Sequence, residues 1–184
     1  SLMLATGLGQ QTGSVSLSSG TASAGTSGHL KISTGTSQQT SGSVTVSSGH
    51  ATSSVAGRIE LLAGNSDVAN GGSVQISSGQ GMSSGSINLH SGSSDSSTGK
   101  IQVSTGNAVT GQSGGVAVNT GSSMEQSGDI LLAVGTSSDK SAGDVSITVG
   151  SSDIMAGGSV SVSSGSSSAA TSGSILLSSA SGTD

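Results

Sequence analysis

Three histidines, His29, His50 and His90, are the first side chains to test for chemistry, because a neutral imidazole can act as a base or bind a metal ion. They lie in different units of a regular repeat and at different positions within the unit. Side chains placed in this way do not converge on one metal ion or one catalytic triad. We predict that all three are solvated surface residues.

Two carboxylates, Asp129 and Asp144, occupy the same position in adjacent units. If neighbouring units stack as strands, these carboxylates lie about 4.8 Å apart and could share a cation such as Ca2+. The alternative is a pair of hydrated surface acids, and we favour it because the Gly-rich nonapeptide pattern of Ca2+-binding repeats is absent. We therefore predict no metal site and keep Asp129 and Asp144 as a candidate cation pair only. Arg58 and Glu60 lie two positions apart on the outward side and are expected to pair, with little effect on stability.

Serine is abundant, but no G-x-S-x-G segment lies between a strand and a helix with His and Asp partners to activate it. The scattered acids provide no pair facing across a cleft for glycoside hydrolysis. The chain has no Cys, which excludes disulfides and Cys-based zinc sites. We predict a protein that is not an enzyme, with no catalytic residues and no cofactor.

The composition excludes two further classes. Charged residues are 7% of the 184, the net charge is −5, and aromatic residues are absent, so a nucleic-acid binder is not expected. The longest apolar run, residues 130–134, is far too short to span a bilayer.

The sequence is organised as a repeat of 13 to 15 residues. Each unit opens with Gly, continues with two Val, Ile or Leu residues at the second and fourth positions after it, and has a closing Gly seven positions after the first in eleven of twelve units. The opening glycines are Gly13, Gly28, Gly42, Gly57, Gly72, Gly85, Gly99, Gly114, Gly128, Gly143, Gly158 and Gly173. Residues 1–12 form a further unit that lacks its opening Gly.

We call the two aliphatic residues of each unit the apolar pair. Alternation with a period of two, rich in β-branched residues and bounded by Gly, is typical of a half-buried strand. We predict that the pairs form the structural core. They are Val15 and Leu17, Leu30 and Ile32, Val44 and Val46, Ile59 and Leu61, Val74 and Ile76, Ile87 and Leu89, Ile101 and Val103, Val116 and Val118, Ile130 and Leu132, Val145 and Ile147, Val160 and Val162, and Ile175 and Leu177.

The predicted fold class is all-β, a narrow parallel β-solenoid (β-helix) of about 13 coils in a single array over residues 1–184. Each coil would contain two short strands joined by Gly/Ser corners in which φ is positive. The second half of the units carries apolar residues irregularly, so we predict that its wall is the less well specified one. Neither end resembles a polar capping repeat, and we expect the sequence to be a window of a longer array.

The unit Gly42-Ser43-Val44-Thr45-Val46-Ser47-Ser48-Gly49, repeated closely at residues 158–165, resembles the long Ser/Gly-rich repeats of secreted or cell-surface proteins of diatoms and related algae. Bacterial adhesin stalks look similar at this level. The resemblance covers the full chain. It implies an extracellular or cell-surface location and a structural or adhesive role, and it assigns no functional residue.

From these observations we expect a structural protein that forms a stiff extracellular fibre, surface appendage, or matrix or adhesive component. Its expected partners are copies of itself, neighbouring repeats or other structural chains, and its Ser and Thr hydroxyls are acceptors for O-linked glycans. The alternative is a solenoid that binds ice, carbohydrate or a mineral surface. Ice binding ranks lower because the outward strand positions hold Thr only at Thr45 and Thr148 and are interrupted by charged residues.

Overall fold

The computed structural model describes residues 2–181, and over that range the chain forms no helix and no strand. The predicted all-β fold, the narrow parallel β-solenoid or β-helix, is therefore wrong. The apolar alternation that predicted strands is present in every unit, but within residues 2–181 no neighbouring segment pairs with it.

The reason lies in the backbone hydrogen bonds. A folded chain forms roughly one internal hydrogen bond per residue, most of them between backbone groups. Within residues 2–181, four bonds link backbone to backbone, and each joins a closing Gly to the opening Gly of the next unit. Burying two aliphatic side chains per unit would contribute less free energy than ordering about 14 residues costs in entropy. In residues 2–181 no ladder of backbone bonds between units makes up the difference.

The repeat does produce a regular local feature, a bend in the second half of every unit from residues 1–12 to the unit opened by Gly158. The bends recur every 14 or 15 residues along the described chain. They lie at residues 9–11, 23–25, 38–39, 52–54, 67–69, 81–83, 95–96, 109–111, 124–125, 138–140, 153–155 and 168–170. Eight of the twelve bends contain no Gly, and the bends lie in the second half of the unit, where the sequence predicted a second wall rather than a Gly/Ser corner.

The positive φ predicted for Gly/Ser corners is also rare in the described chain. Among the described glycines, only Gly25 has a positive φ, 106°. The other bends are made with ordinary φ values, so their glycines are not needed there for left-handed backbone.

The predicted core is also corrected, because none of the apolar pairs is buried. No hydrophobic side chain within residues 2–181 is buried, and the pair residues from Val15 to Leu177 are 50% to 85% exposed. The accessible surface is 18847 Å². A compact monomer of this mass would expose about 7,800 Å² and a fully unfolded chain about 24,800 Å². The chain thus keeps most of its apolar surface in contact with water.

By its internal contacts the chain divides into two segments, each made of several repeat units: Ser1–His90 and Ser91–Asp184. The first contains the six bends from residues 9–11 to 81–83, and the second contains the six from residues 95–96 to 168–170. Residues 2–181 include no helix that is long and apolar enough to cross a membrane.

Candidate functional site

A loop between the closing Gly of one unit and the opening Gly of the next is the best-defined local structure. In the loop from Gly150 to Gly158, the Gly158 N–H donates to the Gly150 carbonyl oxygen at 3.0 Å. The corresponding distances are 2.8 Å for Gly72 to Gly64 and 2.9 Å for Gly173 to Gly165. A short loop is therefore held closed by its two glycines.

The opening Gly also makes a close approach that a larger residue would disturb. A Cβ atom added at Gly158 would lie 3.2 Å from the Val149 Cβ, and one at Gly143 would lie 3.3 Å from a methyl carbon of Val134. Val149 and Val134 immediately precede the closing Gly of the previous unit. They are 47% and 45% exposed, among the least exposed large apolar residues of the described chain. Close approach thus explains why the unit opens with Gly at these positions.

A serine nine positions after the opening Gly stabilises the bend. Its Oγ accepts a hydrogen bond from the backbone N–H two or three residues later, at 2.9 to 3.3 Å, which is the geometry of an ST turn. Seven serines do this: Ser37, Ser66, Ser94, Ser123, Ser137, Ser152 and Ser167. Sequence reasoning missed these residues, although their constant position two residues after the closing Gly is a signal that could have identified them.

The apolar pairs have the same exposure pattern in all twelve units. The first residue of a pair is 50% to 59% exposed and the second is 62% to 85% exposed. In the unit opened by Gly42, for example, Val44 is 55% and Val46 is 73% exposed. The pairs therefore present the same partly covered apolar surface once per unit.

A second group of apolar side chains lies at or next to the bends and is almost completely exposed. Val55, Val68 and Val109 are 94% to 97% exposed, and Met82 and Met124 exceed 100% of the reference area. Their positions in the unit vary from 10 to 13 after the opening Gly, and some units have none. We call these residues the turn apolar residues. Three of them, Met82, Val109 and Met124, belong to the irregular second wall predicted from the sequence.

The residues predicted as candidates for chemistry are all exposed. His29, His50 and His90 lie on the surface, as do Asp129 and Asp144. The expected 4.8 Å spacing of the two carboxylates depended on stacked strands, which residues 2–181 do not form. The described chain contains no group of three or more His, Asp or Glu side chains that could hold a metal ion.

Two side-chain contacts in the described chain each join residues two positions apart within a single repeat unit. Arg58 and Glu60 form the expected ion pair, with 3.0 Å between a guanidinium nitrogen and a carboxylate oxygen. Their side chains are 81% and 50% exposed, so solvent screens the interaction and its effect on stability is small. The Lys100 ammonium similarly donates to the Gln102 Oε1 at 2.8 Å.

An open hollow of about 430 Å³ lies beside the one bend that contains a positive-φ Gly. Its lining residues are Ser19, Gly20, Thr21, Ala22, Gly25 and Ser27. These offer hydroxyl and backbone groups but no charge, so the hollow has no acid, base or nucleophile activated by a neighbour.

Comparison with family models, with curated proteins and with solved structures found no match to this chain. The resemblance to diatom repeat proteins therefore stays a prediction.

Proposed function

We propose that this chain is a non-enzymatic structural repeat protein of an extracellular matrix, fibre or cell-surface appendage. The observation that supports the proposal is the periodic exposure of the apolar pairs, at 50% to 59% and 62% to 85% in every unit. One apolar contact surface is thus repeated twelve times at nearly constant spacing along the chain. Multiple weak contacts of this kind add up to durable attachment between chains.

Charge and polarity support the same role. Charged residues are 7% of the chain and residues 1–90 carry no net charge, so the approach of other chains along that part meets little long-range repulsion. The partners we propose are other structural chains, further repeats or copies of the same chain. The exposed Ser and Thr hydroxyls of the loops are proposed acceptors for O-linked glycans.

The mechanism differs from the one expected from the sequence. A parallel β-solenoid would gain stiffness from backbone bonds between successive coils, but the backbone bonds of residues 2–181 are confined to single loops. We therefore propose that cohesion comes from side-chain contacts between chains. The alternative, binding to ice, carbohydrate or mineral through a flat solenoid face, depends on a sheet that residues 2–181 do not form, and we do not propose it.

The test is to locate the native protein. Antibodies raised against the chain should label intact, unpermeabilised cells or the material around them, and immunogold electron microscopy should place the label on fibres or matrix. Label that requires permeabilisation and follows a soluble intracellular compartment would contradict the proposal.

A further inference from the structure

We propose that a second copy of this chain covers the apolar pairs, and that the contact forms mainly through the segment Ser1–His90. This inference rests on the proposed structural function, whose test concerns location in the native material. The experiment below uses the purified chain, so either proposal can fail while the other stands.

The exposed area is large enough for a stable interface. The chain exposes 18847 Å², about 2.4 times what a compact monomer of its mass exposes. Covering one tenth of that surface on each of two copies would remove about 3,800 Å² from water, which lies in the range of obligate protein interfaces. The pairs supply apolar area in each unit, so partial overlap of two copies is enough.

The regular spacing selects a copy of this chain as the occupant. Apolar residues recur at the second and fourth positions of all twelve units, and the units follow each other every 13 to 15 residues. A partner that contacts many pairs at once needs the same spacing, and another copy has it. The turn apolar residues, by contrast, vary in position and are missing from some units, so they cannot provide a matching series.

The charge distribution favours the segment Ser1–His90 as the place of contact between two copies. Its charged side chains are Lys31, Arg58, Glu60 and Asp67, which sum to zero, whereas residues 91–184 carry two bases and seven acids, a net charge of −5. Two acidic segments repel each other at low ionic strength, and salt screens that repulsion. Two copies of the neutral segment Ser1–His90 do not repel each other in this way.

Because apolar surface is buried, the association should strengthen on warming near room temperature and in sulfate. An association held by hydrogen bonds or ion pairs would lack this combination of responses.

The first experiment compares two double variants of the full chain by analytical ultracentrifugation over a wide concentration range. Val44→Thr with Val46→Thr changes one apolar pair, and Val55→Thr with Val68→Thr makes the same change at two turn apolar residues, one in the same repeat unit and one in the next. Val and Thr have nearly the same shape, and all four side chains are more than half exposed, so neither variant removes a buried contact of the monomer. We expect the pair variant to raise the concentration of half-association about tenfold, because it places hydroxyls in an apolar contact.

The turn variant should change this concentration less than twofold, since residues 55 and 68 lie outside the proposed contact. A wild-type chain that remains monomeric at every concentration and temperature would overturn the proposal. So would equal weakening by the two variants, because the more exposed turn residues would then be acting through general hydrophobicity.

The second experiment tests whether the contact forms through the segment Ser1–His90 rather than through residues 91–184. Val116→Thr with Val118→Thr changes a pair in the acidic segment whose exposures, 59% and 74%, closely match the 55% and 73% of Val44 and Val46. At low salt the Val44 and Val46 variant should weaken association clearly more than the Val116 and Val118 variant, and at high salt the two effects should converge. Equal effects at low salt would refute the assignment to Ser1–His90.

Discussion

Ser167 provides the most direct test of how the repeat forms its bends. Its Oγ accepts hydrogen bonds from the backbone N–H groups of Ala170 at 2.9 Å and Ala169 at 3.3 Å. The same loop is closed by the bond from the Gly173 N–H to the Gly165 carbonyl at 2.9 Å. Replacing Ser167 by Ala removes both side-chain bonds and leaves the glycine bond in place.

The magnitude follows from the two contacts. A neutral hydrogen bond contributes about 0.5–1.5 kcal/mol net, and the lower end applies because this loop is exposed. The loss of two bonds therefore costs about 1 kcal/mol, which raises the local opening equilibrium about fivefold. Amide hydrogen exchange measured by NMR should show this acceleration at Ala170. A smaller increase is expected at Gly173, because opening of the bend also loosens the closure of the loop.

Ser168→Ala is the matched control, since Ser168 neighbours Ser167 but forms none of the side-chain hydrogen bonds observed in the described chain. It should leave exchange at Ala170 nearly unchanged. If Ser167→Ala has no effect, or if both substitutions accelerate exchange equally, the serine does not stabilise the bend and the reasoning is refuted.

Three further predictions concern the glycines and the absence of a core. Gly25→Ala should cost about 1–2 kcal/mol of local stability, because Ala rarely adopts the φ of 106° found there. Nothing lies within 4 Å of the added Cβ, so no steric clash contributes. Gly20→Ala is the control, since that site is equally open but has no positive φ, and it should leave the NMR shifts of residues 23–25 nearly unchanged. Gly158→Ala should accelerate exchange of its own amide, because the new Cβ meets the preceding unit at 3.2 Å; Gly150→Ala, with nothing within 4 Å, should not, and equal behaviour would contradict the close approach. Calorimetry of the dilute chain should reveal no cooperative heat absorption, since little surface remains to be exposed, and a sharp transition would disprove the absence of a core.

The repeat spacing could be predicted from the sequence. The twelve bends from residues 9–11 to 168–170 follow that spacing, but they lie where the sequence predicted a second apolar wall and not a corner. The pairing of Arg58 with Glu60 was also confirmed, because residues two positions apart on one side come close without help from distant segments. These features depend on neighbours in the chain.

Features that need a distant segment could not be predicted in this way. The alternation in Val44 and Val46 indicates that the two side chains share a side, but it does not supply the surface that would cover them. The same limitation applies to Asp129 and Asp144, whose expected proximity required two units to stack. Ser167 and its equivalents escaped notice for another reason: a serine among fifty looks unremarkable until its hydrogen bonds reveal the common position.

The sequence by itself determined the spacing of the units, the aliphatic pair presented by every unit and the neutral charge of residues 1–90. These properties arise from local residue order, and they persist whether or not the units contact each other. Only the tertiary structure decided that the pairs remain exposed and that backbone bonds close single loops. Burial and ladder formation require a second surface, and two aliphatic residues per unit do not offset the entropy of bringing one from elsewhere in the same chain.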